Sequence, residues 1–146
     1  MLWNLPTELD NRLSLFGRFS SGKVGDSSLA AFVPINTRYQ GDVLRAKPSG
    51  ISIISLDYSA RLHRTLAAGL TGSYIILSDK GTYQGVIPGK DGYLLGAELY
   101  GRLLWSPISD LSLNLGGGIF LPSLGNADPN ADLQWRVELS AVIALY

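Results

Sequence analysis

The sequence contains no cysteine and a single histidine, His63. The lack of cysteine excludes disulfides, thiolate catalysis and cysteine-based metal sites, and one histidine cannot build a multi-histidine metal centre within one chain. Charged residues make up only 16% of the 146 positions, which is below the usual quarter for soluble domains. Because twelve basic and twelve acidic residues cancel, no basic field favours nucleic acid as a partner.

The sequence also lacks the apolar segments that form transmembrane helices or signal peptides. No apolar run approaches the roughly 18 residues of a transmembrane helix. Residues 1–20 lack the basic start and the apolar core of a signal peptide, so either such a segment was removed or the chain is a piece of a longer one. Residues 1–11 form a short stretch with Pro6 before the first alternating segment, and we expect them to be a leader; by length, residues 12–146 should be a single domain.

Alternation of apolar and polar residues dominates the chain. From Tyr93 to Trp105 every second residue is apolar or small, and the pattern resumes from Leu111 to Leu121 after the turn sequence Ser106–Asp110. This period of two predicts a β-hairpin with one continuous apolar face. Six such strands are clear, at residues 12–21, 49–62, 66–76, 93–105, 111–121 and 133–145, and a hairpin within residues 30–46 would bring the total to eight.

The connections between these strands alternate in length. Residues 63–65 and 106–110 are short turns, whereas long loops lie near 22–29, 78–92 and 122–132. Strands of about a dozen residues with alternating short and long connections are typical of an antiparallel up-and-down transmembrane β-barrel. The expected fold is therefore all-β, as a barrel of about eight strands or as the C-terminal portion of a larger one.

The two faces of the predicted strands differ in charge. The polar face collects seven charged residues, which are Arg18, Asp57, Arg61, Glu98, Arg102, Arg136 and Glu138. The opposite, apolar face carries an expected aromatic girdle of Tyr93, Trp105 and Trp135. Twelve residues separate Tyr93 from Trp105, which is about 30 Å in a tilted strand and suits the two interfaces of a membrane. The competing interpretation is a soluble all-β barrel that binds a small apolar ligand inside.

The sequence resembles the C-terminal part of bacterial outer-membrane barrels of the spirochaete and alginate-export-like type. The resemblance is carried by AFVPINTRYQGDV, SGISIISLDYSARL and GAELYGRLLWSPISDLSLNLGGGIFLP, together with a final aromatic residue, Tyr146. It implies a location in the cell outer membrane, contact with outer-membrane lipids and assembly by the barrel-insertion machinery. The implied role is structural or that of a porin or export channel, with a transported solute as a further partner.

The width of the barrel decides the role of the polar face. In an eight-stranded barrel side chains fill the interior, so the seven charges would form a network of ion pairs. In a larger barrel the same charges would line an aqueous pore, and Arg61, Arg102 and Arg136 would attract anionic solutes. The sequence leaves both possibilities open.

No catalytic or metal-binding motif stands out, so we expect neither enzymatic activity nor a cofactor. His63 lies in a turn near Ser59 and Asp57, but a turn offers little shielding for a catalytic base, and no Gly-x-Ser-x-Gly elbow is present. Residues 128–132 match the start of a calcium loop, yet leucines stand where its glycine and glutamate belong. The run Gly116–Gly118 lies within a strand, where we expect it to allow bending of the strand or close packing against an inward Tyr100 or Phe120.

Overall fold

The computed structural model describes residues 1–6, 10–21, 39–80, 92–128 and 130–144. This part of the chain is built from β-strands and one short 3-10 turn, Pro122–Leu124. The strands are β1 (Leu2–Asn4), β2 (Arg12–Phe19), β3 (Ile51–His63), β4 (Leu66–Leu77), β5 (Leu94–Ile108), β6 (Leu111–Leu121) and β7 (Gln134–Ile143). Tyr146 and the expected loop at residues 22–29 lie outside the described residues.

All seven strands belong to one sheet in which each strand pairs antiparallel with the next along the chain. The prediction of an all-β, antiparallel, up-and-down fold is therefore confirmed. Within the described ranges, β1 and β7 do not pair with one another, so the sheet has two open edges. In the same ranges, no helix has the length and apolarity required to cross a membrane.

The seventh strand lies where the sequence suggests only a leader. Leu2–Asn4 pairs with Arg12–Ser14 at the outer edge of β2. Residues 39–46, by contrast, form no strand of the sheet. They make a compact segment closed by two backbone hydrogen bonds between Gln40 and Ala46, of 2.8 and 2.9 Å. The expected hairpin within 30–46 is thus absent from residues 39–46, and its first nine residues lie outside the described part.

The central hairpin departs from the predicted pattern at both ends. The expected continuous alternation from Tyr93 breaks at Gly96, where the register shifts and φ is +142°, a conformation that favours glycine. Leu95 is consequently fully buried instead of lying on the exposed apolar face. At the other end, β5 continues to Ile108 through a second bulge that contains Pro107, which shortens the predicted five-residue turn. A bulge tolerates proline because its backbone needs no ladder donor.

The buried core lies at one end of the sheet, on the same face as Glu98. Cross-strand neighbours share a face, and Phe120 lies opposite Glu98 in the register. Phe120 contributes to a cluster of ten buried apolar residues, which are Val43, Leu44, Ala46, Ile51, Ile53, Ile75, Leu77, Leu95, Phe120 and Ala127. The cluster forms because residues 43–46 fold onto this face and cover the ends of β3, β4 and β5.

Candidate functional site on the polar face

The strand register brings the predicted charged residues onto one face. Asp57, Thr71, Tyr100 and Arg136 occupy one row that crosses β3 to β7 through Gly118. The adjacent rows hold Ser55, Ser73, Glu98 and Gln134 on one side, and Ser59, Arg102 and Glu138 on the other. Arg18 and Arg61 lie in phase with these rows on β2 and β3. We call this surface the polar face.

A first group of charges joins β3, β4 and β5. Arg102 Nη2 lies 2.9 Å from Asp57 Oδ2, and the Thr71 hydroxyl donates to the same oxygen at 2.8 Å. The ion pair therefore crosses the intervening strand β4. Half of the Arg102 side chain remains exposed, so the pair contributes little to stability but fixes the position of the guanidinium.

A second group joins β5 and β7. Arg136 Nη2 donates to Glu138 Oε1, and the Tyr100 hydroxyl donates to Glu138 Oε2 at 3.1 Å. Arg45, which the sequence did not single out, lies 3.9 Å from Glu138 and adds a third cationic or donor group. Arg136 and Glu138 reach each other because residues two apart in a strand share a face.

The glycines of β6 make room for Tyr100. A Cβ atom at Gly116 would meet the Tyr100 hydroxyl, and one at Gly118 would meet the carbonyl oxygen of Leu99 and lie 2.9 Å from Tyr100 Cα. The predicted role of this glycine run, accommodation of an inward tyrosine, is confirmed. The tyrosine ring thus lies close to β6 and can reach Glu138 on β7.

We expect Gly118→Ala to destabilise the protein by about 2 kcal/mol, because the backbone of β5 must move to admit a methyl group. Gly117→Ala is the matched control. Its nearest atoms would be 3.4 and 3.6 Å away, and we expect an effect below about 0.5 kcal/mol. Urea unfolding in detergent, followed by tryptophan fluorescence, measures both. Equal effects of the two substitutions would contradict this account of the glycine run.

Glu98 fixes the segment of residues 39–46 to the polar face. Its side chain accepts hydrogen bonds from the backbone N–H groups of Asp42, Val43 and Leu44, at 2.8, 3.2 and 3.3 Å. Gly41, with φ of +81°, permits the close approach, since a Cβ there would lie 2.9 Å from Glu98 Oε2. Glu98 is only 3% exposed. We call this arrangement the Glu98 latch.

The Glu98 latch is a feature that sequence reasoning missed. The Gly41–Asp42 pair is a turn signal, but nothing local links it to a carboxylate more than fifty residues away. Burial raises the pKa of Asp42 above that of an exposed aspartate, and the positive charge of Arg102 opposes this shift. The latch therefore brings Asp42 close to the charges on the strands.

The remaining predicted residues lie apart from these groups. Arg18 lines a cavity beside Gln40, and Arg61 lines a second cavity near the short turn at His63. The His63 ring lies 3.2 Å, through Nδ1, from the Thr65 hydroxyl inside that exposed turn. The expected absence of catalysis remains a prediction.

The apolar face of the sheet is exposed along β2 to β7. Trp105 and Trp135 of the expected girdle are 45% and 72% exposed. Tyr93, expected in the same girdle, precedes β5 on the other side of the Gly96 bulge, lies opposite Leu77 and is out of phase with Trp105, and Lys80 lies 4.6 Å above its ring. Other exposed members of the apolar face are Leu15, Phe19, Ile54, Leu56, Leu70, Leu99, Leu103, Leu115, Ile119, Val137, Leu139 and Ile143.

The polar face offers side chains for hydrogen bonding and charge interactions. Among the described residues, no group of three or more His, Cys, Asp or Glu side chains is placed to hold a metal ion. The arrangement can bind and orient a polar solute through guanidinium, carboxylate, hydroxyl and carboxamide groups.

No protein-family description matches the chain, and no curated relative is found for it.

Proposed function

We propose that the seven-stranded sheet, from Leu2 to Ile143, forms part of the wall of a bacterial outer-membrane β-barrel. In this assignment the apolar face contacts lipid and the polar face lines an aqueous lumen. The observation that carries the proposal is the position of the core. The chain folds its own segment, residues 39–46, onto the polar face, whereas most large side chains of the apolar face are exposed and its described contact with a folded segment is at one end, where the Tyr74 hydroxyl donates to the Leu124 carbonyl. Soluble monomers rarely expose a continuous apolar surface of this extent.

The strand lengths support the same assignment. Strands β3, β4, β6 and β7 contain 10 to 13 residues. At about 3.3 Å per residue and a tilt near 40°, they span about 25–33 Å, which suits the apolar band of an outer-membrane barrel. The charged residues of the described strands lie on the opposite face, where water or other charges can compensate them. A soluble barrel with an apolar ligand inside would instead place the folded segment on the outside.

The open edges favour a barrel with further strands. One edge of β7 has no partner among the described residues, and unpaired backbone groups are too costly in lipid to persist. Because β1 and β7 run in the same direction, antiparallel closure requires an odd number of additional strands. Outer-membrane barrels are all inserted in the same orientation. A second copy of the chain related by a two-fold axis in the membrane plane would have the opposite orientation, so it cannot supply the missing strands.

The Glu98 latch favours a channel over a filled barrel. The interior of an eight-stranded barrel is just wide enough for side chains, and here a backbone segment lies on the polar face as well. A wider lumen would hold the segment and still contain water. We therefore propose a porin or export channel narrowed by residues 39–46, with outer-membrane lipids and the barrel-insertion machinery as partners.

Planar-bilayer conductance of the refolded protein tests this proposal. The sample is first checked for heat-modifiable migration on a gel, which reports a stable membrane barrel. We expect stable unitary currents, because a water-filled lumen conducts ions. Heat-modifiable protein without current would contradict the channel and favour a structural role. Protein that is monomeric and soluble without detergent would overturn the membrane location.

A further inference from the structure

A cavity of about 130 Å³ lies on the polar face beside the segment of residues 39–46. One water molecule needs roughly 10–15 Å³, so the cavity has room for several waters or for one small solute. Its polar lining includes Arg18, Gln40, Asp42, Ser55 and Ser73, and Phe16, Tyr39 and Ile53 provide apolar walls. Gly41 and Glu98 complete the lining.

Gln40 is the unusual member of this lining. The residue is 1% exposed, yet among the described residues neither its side-chain oxygen nor its side-chain nitrogen has a hydrogen-bond partner. Its backbone is held by both hydrogen bonds to Ala46, so the segment keeps the side chain in place. Buried amides nearly always find partners because the unpaired state is costly. Gln40 is one of the residues that line the cavity, so a ligand that enters it and meets the amide would supply the missing partners.

The two serines supply a further free donor. Ser55 Oγ and Ser73 Oγ are 2.8 Å apart and buried. This hydrogen bond uses one of the two hydroxyl protons, so the other is left for a third group. The Tyr39 ring, with the Arg45 guanidinium 4.8 Å from its centre, is held in place as an apolar wall. The cavity therefore combines donors, an acceptor and flat hydrocarbon surface.

The charges around the cavity favour a neutral ligand. Glu98 and Asp42 line the cavity together with Arg18, and Arg45 lies against its Tyr39 wall, so charges of neither sign are in excess there. The Glu98 carboxylate is already occupied by three backbone N–H groups and is not available to hold a cation. A molecule with several hydroxyl groups can accept from Arg18 and serine, and can both donate to and accept from the Gln40 amide.

We propose that this cavity binds a small neutral polyol, with Gln40 as the central contact. The inference rests on the proposed function in one respect, since it names a solute class for the polar face of the channel. Binding itself requires only the folded protein in detergent and no conduction. Binding without conductance would thus reject the channel and keep the ligand site. Conductance without binding would reject the ligand site alone.

NMR of the full chain in detergent, with only glutamine side chains labelled with ¹⁵N, tests the proposal. The sequence has three glutamines, at positions 40, 84 and 134, so three side-chain amide signals are expected. The probe is myo-inositol, a neutral ring polyol. We expect a saturable shift of the Gln40 signal, which is assigned by its disappearance in Gln40→Met. No shift at Gln40, or equal linear shifts at all three glutamines, would overturn the site. A shift with inorganic phosphate but not with myo-inositol would overturn the ligand class.

Two variants separate ligand binding from a structural role. Gln40→Met is close in size and removes the unpaired groups, so we expect an unchanged or higher thermal midpoint together with loss of myo-inositol binding. Binding to this variant is measured by isothermal titration calorimetry, because the Gln40 NMR signal is absent from it. A lower midpoint would show that the amide stabilises the protein and would count against the site. Ser73→Ala should weaken binding roughly three- to tenfold, the loss typical of one hydrogen bond. Ser140→Ala, on an exposed part of the polar face, is the control that should leave binding unchanged.

Discussion

Replacing Leu115 with arginine is expected to weaken folding into lipid vesicles by about 2–4 kcal/mol, the cost of a basic residue on the lipid-facing surface near the bilayer midplane. Leu115 lies near the middle of β6 and is 47% exposed on the apolar face. Its register neighbours are Leu103 and Leu139, so the new guanidinium would meet only apolar groups from the protein. The free energy of folding is measured by urea titration of protein in vesicles, with tryptophan fluorescence as the signal.

Asn114→Arg is the matched control for this substitution. Asn114 precedes Leu115 in the same strand and is exposed on the opposite, polar face. In the proposed barrel its side chain faces water, so we expect an effect below about 0.5 kcal/mol. A similar loss for both variants, or no loss for Leu115→Arg, would contradict the assignment of lipid and lumen to the two faces.

Fluorescence quenching by brominated lipids shows whether the apolar face contacts lipid or a protein interior. The arginine variants alone do not distinguish these two environments. Trp135 is 72% exposed on the apolar face. With Trp3 and Trp105 replaced by phenylalanine, its emission should be quenched in vesicles of brominated lipid, because quenching requires contact with the acyl chains. Emission unaffected by bromine would place the apolar face against protein and would support the soluble barrel instead.

The strands could be predicted from the sequence because their signal is local. Alternation over ten or more residues identifies β3, β4, β6 and β7 without knowledge of their partners. The prediction that strand glycines accommodate Tyr100 was also within reach, since Tyr100 lies opposite Gly118 once the hairpin is drawn. The charged residues fall on one face for the same reason, because a period of two fixes the face of every residue in a regular strand.

What the sequence could not reveal depends on irregular backbone and on distant contacts. Because of the bulge at Gly96, the residues before it lie on the opposite face from the one that alternation predicts. A glycine in the sequence does not by itself show whether a strand forms a bulge there or continues regularly. The Glu98 latch joins residues separated by more than fifty positions, and its three donors are backbone groups that carry no side-chain signature. The short strand Leu2–Asn4 has too few residues for a periodic pattern.

Substitution of Glu98 by glutamine is expected to release residues 39–46 from the polar face. Glutamine keeps one oxygen, but its NH₂ group would replace an oxygen that accepts hydrogen bonds, so donors would face donors. Loss of buried hydrogen bonds to a carboxylate costs about 1.5–3 kcal/mol each when the partners stay unpaired. We expect global destabilisation of about 3 kcal/mol at most, because water can reach Asp42 once the segment has opened.

Limited trypsin digestion reports the release of the segment itself. Arg45 is exposed and lies within it, so cleavage after Arg45 should accelerate roughly ten- to a hundredfold in Glu98→Gln, the change that corresponds to about 1.4–2.8 kcal/mol of opening free energy. Asp57→Asn is the control, since it also removes one negative charge from the polar face, and the contacts that it disrupts, the pair with Arg102 and the hydrogen bond from Thr71, do not involve residues 39–46. If both variants accelerate cleavage equally, general loosening is the cause. If only Glu98→Gln does so and its channel also conducts more, residues 39–46 are the constriction and the three backbone bonds to Glu98 hold it in place.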